Sequence, residues 1–501
     1  MNLKISGGKR FRYTAFIGCF LSAFIAVTVC SKSSFLYPFN DWVDANCFFT
    51  VGKSIRAGMV PYRDLFEQKG PLLYFVYALA SLVSWDTFLG VYLIEIVTGT
   101  AFLYFGLKVM ELYCGRKAVY CVPFLALSAY ACLAFSQGGS AEELCFPLLT
   151  ASLWMFLKAE RAQAAPSAKE SFAIGLCAAC VFWSKFTMVG LYPGWFVFFA
   201  VASLRRKQGK ALLKTVLWII LGLLAGTLPY VVYFGLNRAI GDWLEVYLYD
   251  NVMVYSKVSI GHGTIGFGDM WLNLVRGLEN LAENNLPAVL LLAAAYTYGV
   301  AARRWRTLLC AACMGLGAYA LCYVGGRAYT YYPLLFVPFT CLGWAAVCRM
   351  AAERHEKKPF LKRWMCAGYA AVIALMVFLT PNRYLIGADR KEMPQYRFAE
   401  IISETPDATL LNYNFLDGGF YTVTGIVPNC RAFCGLNIPL PELRGQQIDY
   451  LHDGVCDYVV TRNEDLKRKD MKRYTLVCSM EYELEGEMRQ YRLYKRKDNA
   501  E

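Results

Sequence analysis

The stretch Asn40–Tyr74, NDWVDANCFFTVGKSIRAGMVPYRDLFEQKGPLLY, sets four carboxylates (Asp41, Asp44, Asp64, Glu67) and four bases (Lys53, Arg56, Arg63, Lys69) between apolar segments. A plain connection between helices needs only about 2–8 residues, so this one is longer and more charged than a turn requires. Two acids come first, then an amphipathic segment carrying Phe48, Phe49, Val51 and Ile55. A Gly58…Pro61 turn follows, then Tyr62-Arg63-Asp64, and Lys69-Gly70-Pro71 opens the next apolar run. A carboxylate placed here can take a proton from a hydroxyl, and a nearby lysine can hold an anionic group such as a phosphate. Each residue also has a plainer use. Asp44 stands where it would cap the helix that follows. Lys69 would snorkel to lipid headgroups. Arg63 and Asp64 are neighbours, and bracing the loop as an ion pair is the favoured reading for them.

Three further places carry groups of the same kind. Glu142 and Glu143 end the polar segment Gln137–Glu143, where a solvated loop acid is the bland alternative to a second functional carboxylate. Lys185, in Trp183-Ser184-Lys185-Phe186, interrupts apolar sequence, where a charge costs free energy and marks either phosphate binding or snorkelling. Arg327 precedes Tyr329, Tyr331 and Tyr332 and is a candidate for holding a phosphate. Metal binding has little support. The chain has three histidines (His262, His355, His452), of which His262 alone falls in a loop that reaches the face carrying these groups. Carboxylates holding Mg²⁺ or Mn²⁺ stay open as an option. Cys177-Ala-Ala-Cys180 and Cys310-Ala-Ala-Cys313 have metal-like spacing in apolar helical settings, so they read as small core residues.

The elements that must position these groups are membrane spans. Of 501 residues, 57% are hydrophobic and 18% charged, and a span needs about 20 mostly apolar residues. The net charge of +13 is uneven: 17 basic and 19 acidic residues lie from Asn382 onward, leaving 34 and 19 before it. The basic residues sit between apolar runs, which argues for the positive-inside pattern and against nucleic-acid binding. The pattern predicts an uncleaved first span at 13–30 with a cytoplasmic N-terminus, and a short re-entrant or interfacial helix at 71–83. Spans follow at 88–112, 118–135, 144–157, 172–183, 188–203, 216–234, 286–302, 307–324, 333–348 and 364–380, which makes eleven. Residues 235–285 are expected as a long external loop containing Asp242, Trp243, Asp250, Lys257 and His262. The predicted fold class is a mainly α, polytopic helical bundle over residues 1–381, with the external loop 31–87, followed by a small extracytoplasmic α/β domain over 382–501. In that tail 395–405 reads as helix, and 409–413, 457–461, 474–482 and 488–495 as strands. Four of the 19 cysteines (Cys430, Cys434, Cys456, Cys478) lie there and are able to form disulfides whose pairing the sequence leaves open.

Asp44, Phe48, Gly58, Pro61, Tyr62, Asp64, Lys69, Gly70 and Pro71 fall in the order of the first external loop of the GT-C glycosyltransferases. The chain resembles most the bacterial group related to protein mannosyltransferases and the lipid A aminoarabinose transferase. Glu67 stands where Asp is expected, and Gln68 where His is common, so no His role carries over. The resemblance implies a GT-C-like fold and transfer of a hexosyl or pentosyl unit from a polyprenyl-phosphate donor to an extracytoplasmic glycan, lipid or protein acceptor. It places Asp44 at the catalytic acid, acting as base with inversion, and Asp41 as a poorer-fitting substitute. Glu142 matches a second acidic position, with Glu143 and Glu67 as further acids near the acceptor. Lys69, Lys185, Arg327 and Arg63 become the cations for the donor phosphate. No cofactor is required, with Mg²⁺ or Mn²⁺ the open option, and the location implied is a bacterial-type plasma membrane. The rival functions are a transporter or flippase of lipid-linked sugars, and an O-antigen polymerase or ligase. Transport would call for more charge within the spans, where Glu95 is the exception. Polymerases and ligases lean on Arg and His in their loops.

Overall fold

The computed structural model describes residues 9–255, 267–354, 361–484 and 486–497. They group into two compact units. The first comprises residues 9–31, 92–229 and 267–383, and the second 32–91, 230–255 and 384–497.

The first unit is helical, because its segments are apolar over whole turns and leave no backbone group unpaired in a hydrocarbon setting. Among the described residues of the chain, six helices are long and apolar enough to cross a membrane: Arg10–Cys30, Leu89–Tyr130, Phe186–Arg205, Gly209–Leu236, Trp305–Tyr323 and Tyr332–Ala351. Shorter apolar helices include Pro71–Ala80, Leu286–Ala301 and Gly368–Leu379. The chain is thus a mainly α, multi-pass membrane protein. The expected spans at 88–112 and 118–135 fall on helices Leu89–Cys114 and Val122–Tyr130, which fold back on one another, with Phe102 against Tyr130 and Gly106 against Leu125. Arg116 and Lys117 lie in the connecting 3-10 segment Gly115–Cys121, entered through Gly115 at φ +61°. Helices Leu191–Arg205 and Trp305–Tyr323 meet backbone to backbone, since a Cβ on Gly194 would lie 2.2 Å from the Cys313 carbonyl oxygen. Leu103, Leu107, Leu125, Phe146, Leu149 and Phe156 are fully buried between the helices, and Phe156 stacks on Trp195 at 4.0 Å.

The expected long loop at 235–285 is corrected: its described parts are helical. A π-helix covers Glu245–Val254, and an α-helix covers Phe267–Asn284. In the second, Asn273, Asn280 and Leu281 are buried and Leu274 packs against the core, while Trp271, Val275 and Leu278 are exposed. Asn280 donates to the Ala328 and Tyr329 carbonyls at 3.1 Å and 3.2 Å. Lys257, His262 and His355 lie outside the described residues.

The second unit gathers the charged stretch and the C-terminal segment. Helix Val43–Arg56 forms over the amphipathic run, and Gly70 and Pro71 open helix Pro71–Ala80 with proline at its first turn. At a rise of about 1.5 Å per residue, ten residues span roughly 15 Å, half of a bilayer core. The tail has strands β1 (Leu410–Asn412), β2 (Tyr458–Arg462), β3 (Tyr474–Leu484) and β4 (Glu487–Arg496). They form one sheet in the order β1-β2-β4-β3, with β1 parallel to β2 and the other pairs antiparallel. Helices Pro394–Ile402 and Pro441–Asp453 accompany it; the second has no counterpart in the sequence reading.

Candidate active site

Asp44 occupies the first turn of helix Val43–Arg56, but the capping position belongs to Trp42, and no side chain caps the helix. In the first turn the carboxylate has the benefit of the helix dipole. Lys69 Nζ lies 3.7 Å from Asp44 Oδ2, both side chains are mostly buried, and Lys69 also sits 5.5 Å from the Phe48 ring centroid.

The loop carrying Lys69 is fastened from beneath. Glu67 accepts from the Tyr74 hydroxyl and, at 3.0 Å, from the Lys69 backbone N–H. The Tyr62 hydroxyl donates to the Lys69 carbonyl at 2.7 Å. Tyr62 itself is fully buried at φ +71°, a conformation costly for a tyrosine and so one held by its surroundings. Burial raises the Glu67 carboxyl above its usual range, with the Lys69 charge opposing. The Gln68 carbonyl accepts from Asn251 at 2.8 Å, and its side-chain Oε1 is buried without a partner among the described residues. Arg63 and Asp64 form a two-pronged pair at 2.8 Å, and Arg63 also donates to the Asn237 carbonyl at 2.8 Å. Asp64 in turn accepts the Val60 N–H at 2.7 Å, and its carboxyl is held below the usual range chiefly by Arg63.

Asp41 is placed differently. It pairs at 2.6 Å with Lys32, both side chains 3% exposed or less, and Tyr482 lies 3.4 Å from its other oxygen. Helix Val43–Arg56 is also tied to the tail. Thr50 donates to buried Asp417 at 2.6 Å, Lys53 to the Tyr421 carbonyl at 2.7 Å, and Thr422 to Asn46 at 2.7 Å.

A separate cluster lies in the first unit. Ser140 caps helix Ala141–Ala162 by accepting the Glu143 N–H at 3.0 Å, which sets Glu142 and Glu143 in its first turn on different sides. Glu142 pairs with Lys185, and Lys185 lies 4.3 Å and 4.9 Å from the ring centroids of Tyr332 and Tyr331. Arg327 donates to the Tyr329 hydroxyl at 3.3 Å, and Tyr329 stacks on Tyr331. Glu143 turns instead toward Glu95. Both carboxylates accept from the Gly139 N–H, at 2.9 Å and 2.5 Å, and Ser31 donates to Glu95 at 2.9 Å. Gly138, at φ +81°, has no room for a side chain, since a Cβ would lie 2.0 Å from Ser31 Oγ.

The structure thus groups Asp44, Lys69 and Glu67; groups Glu142, Lys185 and Arg327 through the tyrosines; and ties Asp41, Glu143 and Arg63 to other partners. Sequence reasoning missed Lys32, Tyr74, Glu95 as a partner of Glu143, and Asp417. A lysine following the first apolar run was a readable signal for Lys32; Asp417 offered none for its tie to helix Val43–Arg56, since Thr50 lies 367 positions away. No group of His, Cys, Asp and Glu among the described residues is arranged to hold a metal ion. His452 sits 3.1 Å from Asp470 in the tail.

No protein-family model matches the chain, and no curated protein matches it. Among solved structures it is similar to ArnT from Cupriavidus metallidurans bound to undecaprenyl phosphate, with a TM-score of 0.63 and 11% identity over 97% of each chain. The apo state of that protein gives 0.58 and 11% over 90% of this chain and 92% of the other. At such identity the likeness speaks for the fold: this chain has the GT-C-like fold of the aminoarabinose transferase.

Proposed function

We propose that the chain is a glycosyltransferase that moves one sugar from a polyprenyl-phosphate donor to an extracytoplasmic acceptor with inversion. The observation that carries this reading is the Asp44–Lys69 pair at 3.7 Å on a loop pinned by Glu67, Tyr62 and Tyr74. The similar structure of ArnT with bound undecaprenyl phosphate supports the donor class. Asp44 takes the proton of an acceptor hydroxyl as its oxygen attacks the anomeric carbon. The bond from that carbon to the phosphate oxygen breaks, and the polyprenyl phosphate leaves with the electron pair. Lys69 offsets the charge that develops on the departing phosphate. Lys185 and Arg327 are assigned to phosphate binding as well, and Glu142 holds Lys185 in place.

The experiment is transfer from a panel of radiolabelled polyprenyl-phosphate sugars by purified protein in nanodiscs, comparing wild type with Asp44→Asn, Asp41→Asn and Glu142→Gln, with and without chelator. Turnover lost in a well-folded Asp44→Asn protein is the expected result, and the active donor names the sugar. Turnover retained in that variant moves the base elsewhere. Movement of lipid-linked sugar across proteoliposomes without transfer would replace the reading with transport.

A further inference from the structure

Beyond the acids and bases described above, the first unit contains a cavity of about 600 Å³, within the size of small-ligand sites, about 300–1,000 Å³. Its wall is apolar, with Leu292, Gly315, Phe336 and Leu342 among its lining residues. Along helix Trp305–Tyr323 the lining is stepped in small residues, Ala311, Ala312 and Gly315, which leave space where larger side chains would fill it. Leu316 and Tyr296, at its edge, are exposed, so the groove opens sideways.

One end is polar. Tyr113 and Arg304 line it. The Arg304 guanidinium lies 5.5 Å from the Tyr113 ring centroid and that of Arg161 5.6 Å, so two cations flank one phenol. The Tyr113 hydroxyl is buried with no hydrogen-bond partner among the described residues. Two carboxylates border the same end, each with a cation of its own: Glu160 accepts from the lining Thr307 at 3.1 Å and faces Arg306 at 3.8 Å, and Glu353 accepts from the lining Tyr298 at 3.4 Å and pairs with Arg349 at 2.9 Å. An apolar slot ending in the Arg304 guanidinium and a buried phenol, with Arg161 over that phenol's ring, matches an amphiphile with an anionic head.

We propose that this groove binds a bilayer phospholipid with an anionic headgroup, one acyl chain lying along Ala311, Ala312 and Gly315 and the phosphate at Arg161, Arg304 and Tyr113. This site does not depend on the transferase reading. Arginines 303, 304 and 306 fall at a chain position that the charge pattern places on the cytoplasmic side, which suits a lipid drawn from that leaflet.

The test is native mass spectrometry of the purified full chain in detergent, offered phosphatidylglycerol and phosphatidylcholine with identical acyl chains in competition. Wild type is expected to retain phosphatidylglycerol about tenfold over phosphatidylcholine, the effect of one or two charge-assisted hydrogen bonds. Arg161→Gln with Arg304→Gln brings the two lipids to parity. Gly315→Leu loses both; a Cβ there meets nothing within 4 Å, so the variant folds, and an unchanged melting temperature verifies it. Ala312→Leu fills the same slot independently. Equal retention of the two lipids by wild type, or undiminished binding in both filled variants, would reduce the groove to ordinary annular contact. Displacement of phosphatidylglycerol by stoichiometric undecaprenyl phosphate would assign the groove to the carrier lipid and overturn the proposal.

Discussion

Asp41 and Asp44 are three residues apart and chemically the same, and their surroundings separate them. Asp41 is locked in a buried ion pair with Lys32, whereas Asp44 keeps a looser partner at 3.7 Å and some exposure. Removing a general base lowers turnover by about 10²–10⁴, so Asp44→Asn is expected to lose that much while melting like wild type. Asp41→Asn takes a charged partner from the buried Lys32 ammonium, a change that costs up to about 3–5 kcal/mol. It should melt several degrees lower yet turn over normally per folded molecule. A steady-state assay beside a thermal melt reads both; a reversal of the two phenotypes would exchange the roles. The sequence made Asp44 conspicuous through its spacing to Gly58, Tyr62 and Lys69. It was silent on what makes Asp41 different, because Lys32 reads equally well as an interfacial lysine ending a span. In the same way the neighbours Glu142 and Glu143 were inseparable until Ser140 fixed the helix start and turned one to Lys185 and the other to Glu95.

At the level of elements, helix Val43–Arg56 is held from one side by its own loop and from another by the tail. Lys53 reports on that docking. Burial lowers its pKa to about 8, against which Asp417 works. Between about pH 8 and the unfolded value near 10.4, the unfolded chain binds the proton and the folded one does not. Stability from this group therefore rises with pH across that window and levels off below it. Melting curves of wild type against Lys53→Met from pH 7 to 10 should show the difference changing only above about pH 8. A constant difference would mean that Lys53 is solvated. The same unit also brings thiols together: Cys47 lies 3.9 Å from Cys434, and Cys430 3.6 Å from Cys456, all buried. Treatment with oxidised glutathione should form those two bonds, with release of reduced glutathione, and leave Cys478 as a free thiol in peptide mapping. Cross-pairing with Cys478 would contradict the packing. The four tail strands were readable because strand-length runs rich in β-branched and aromatic residues mark them. Helix Phe267–Asn284 carries Trp271, Leu274, Val275, Leu278 and Leu281 at helical spacing, and it went unread because its charged residues and its place in a long polar stretch favoured a loop.

For the whole molecule, chain order is a poor guide to grouping. Apolar runs announce a multi-pass bundle, while the GT-C-like resemblance rested on the motif order from Asp44 to Pro71, readable despite 11% identity to the similar structure. Nothing in composition shows that residues 32–91 and 384–497 share one compact unit. That depends on single polar contacts such as Thr50 to Asp417 and Lys53 to Tyr421, made across more than 360 residues of chain. If those contacts hold the loop in its working shape, a chain ending after Arg383 should insert and remain helical by circular dichroism. It should nevertheless lose transfer by at least about 10²-fold, the cost of a misplaced reacting group. Its loop should also open to trypsin at Arg63, whose carbonyl accepts from Arg431 of the tail at 3.2 Å in the full chain. Adding back the tail as a separate polypeptide would then restore protection before it restores turnover, because docking precedes alignment of Asp44. Undiminished transfer by the shortened chain would show instead that the loop is organised by Tyr62, Glu67 and Tyr74 alone, and that the tail serves some step other than chemistry.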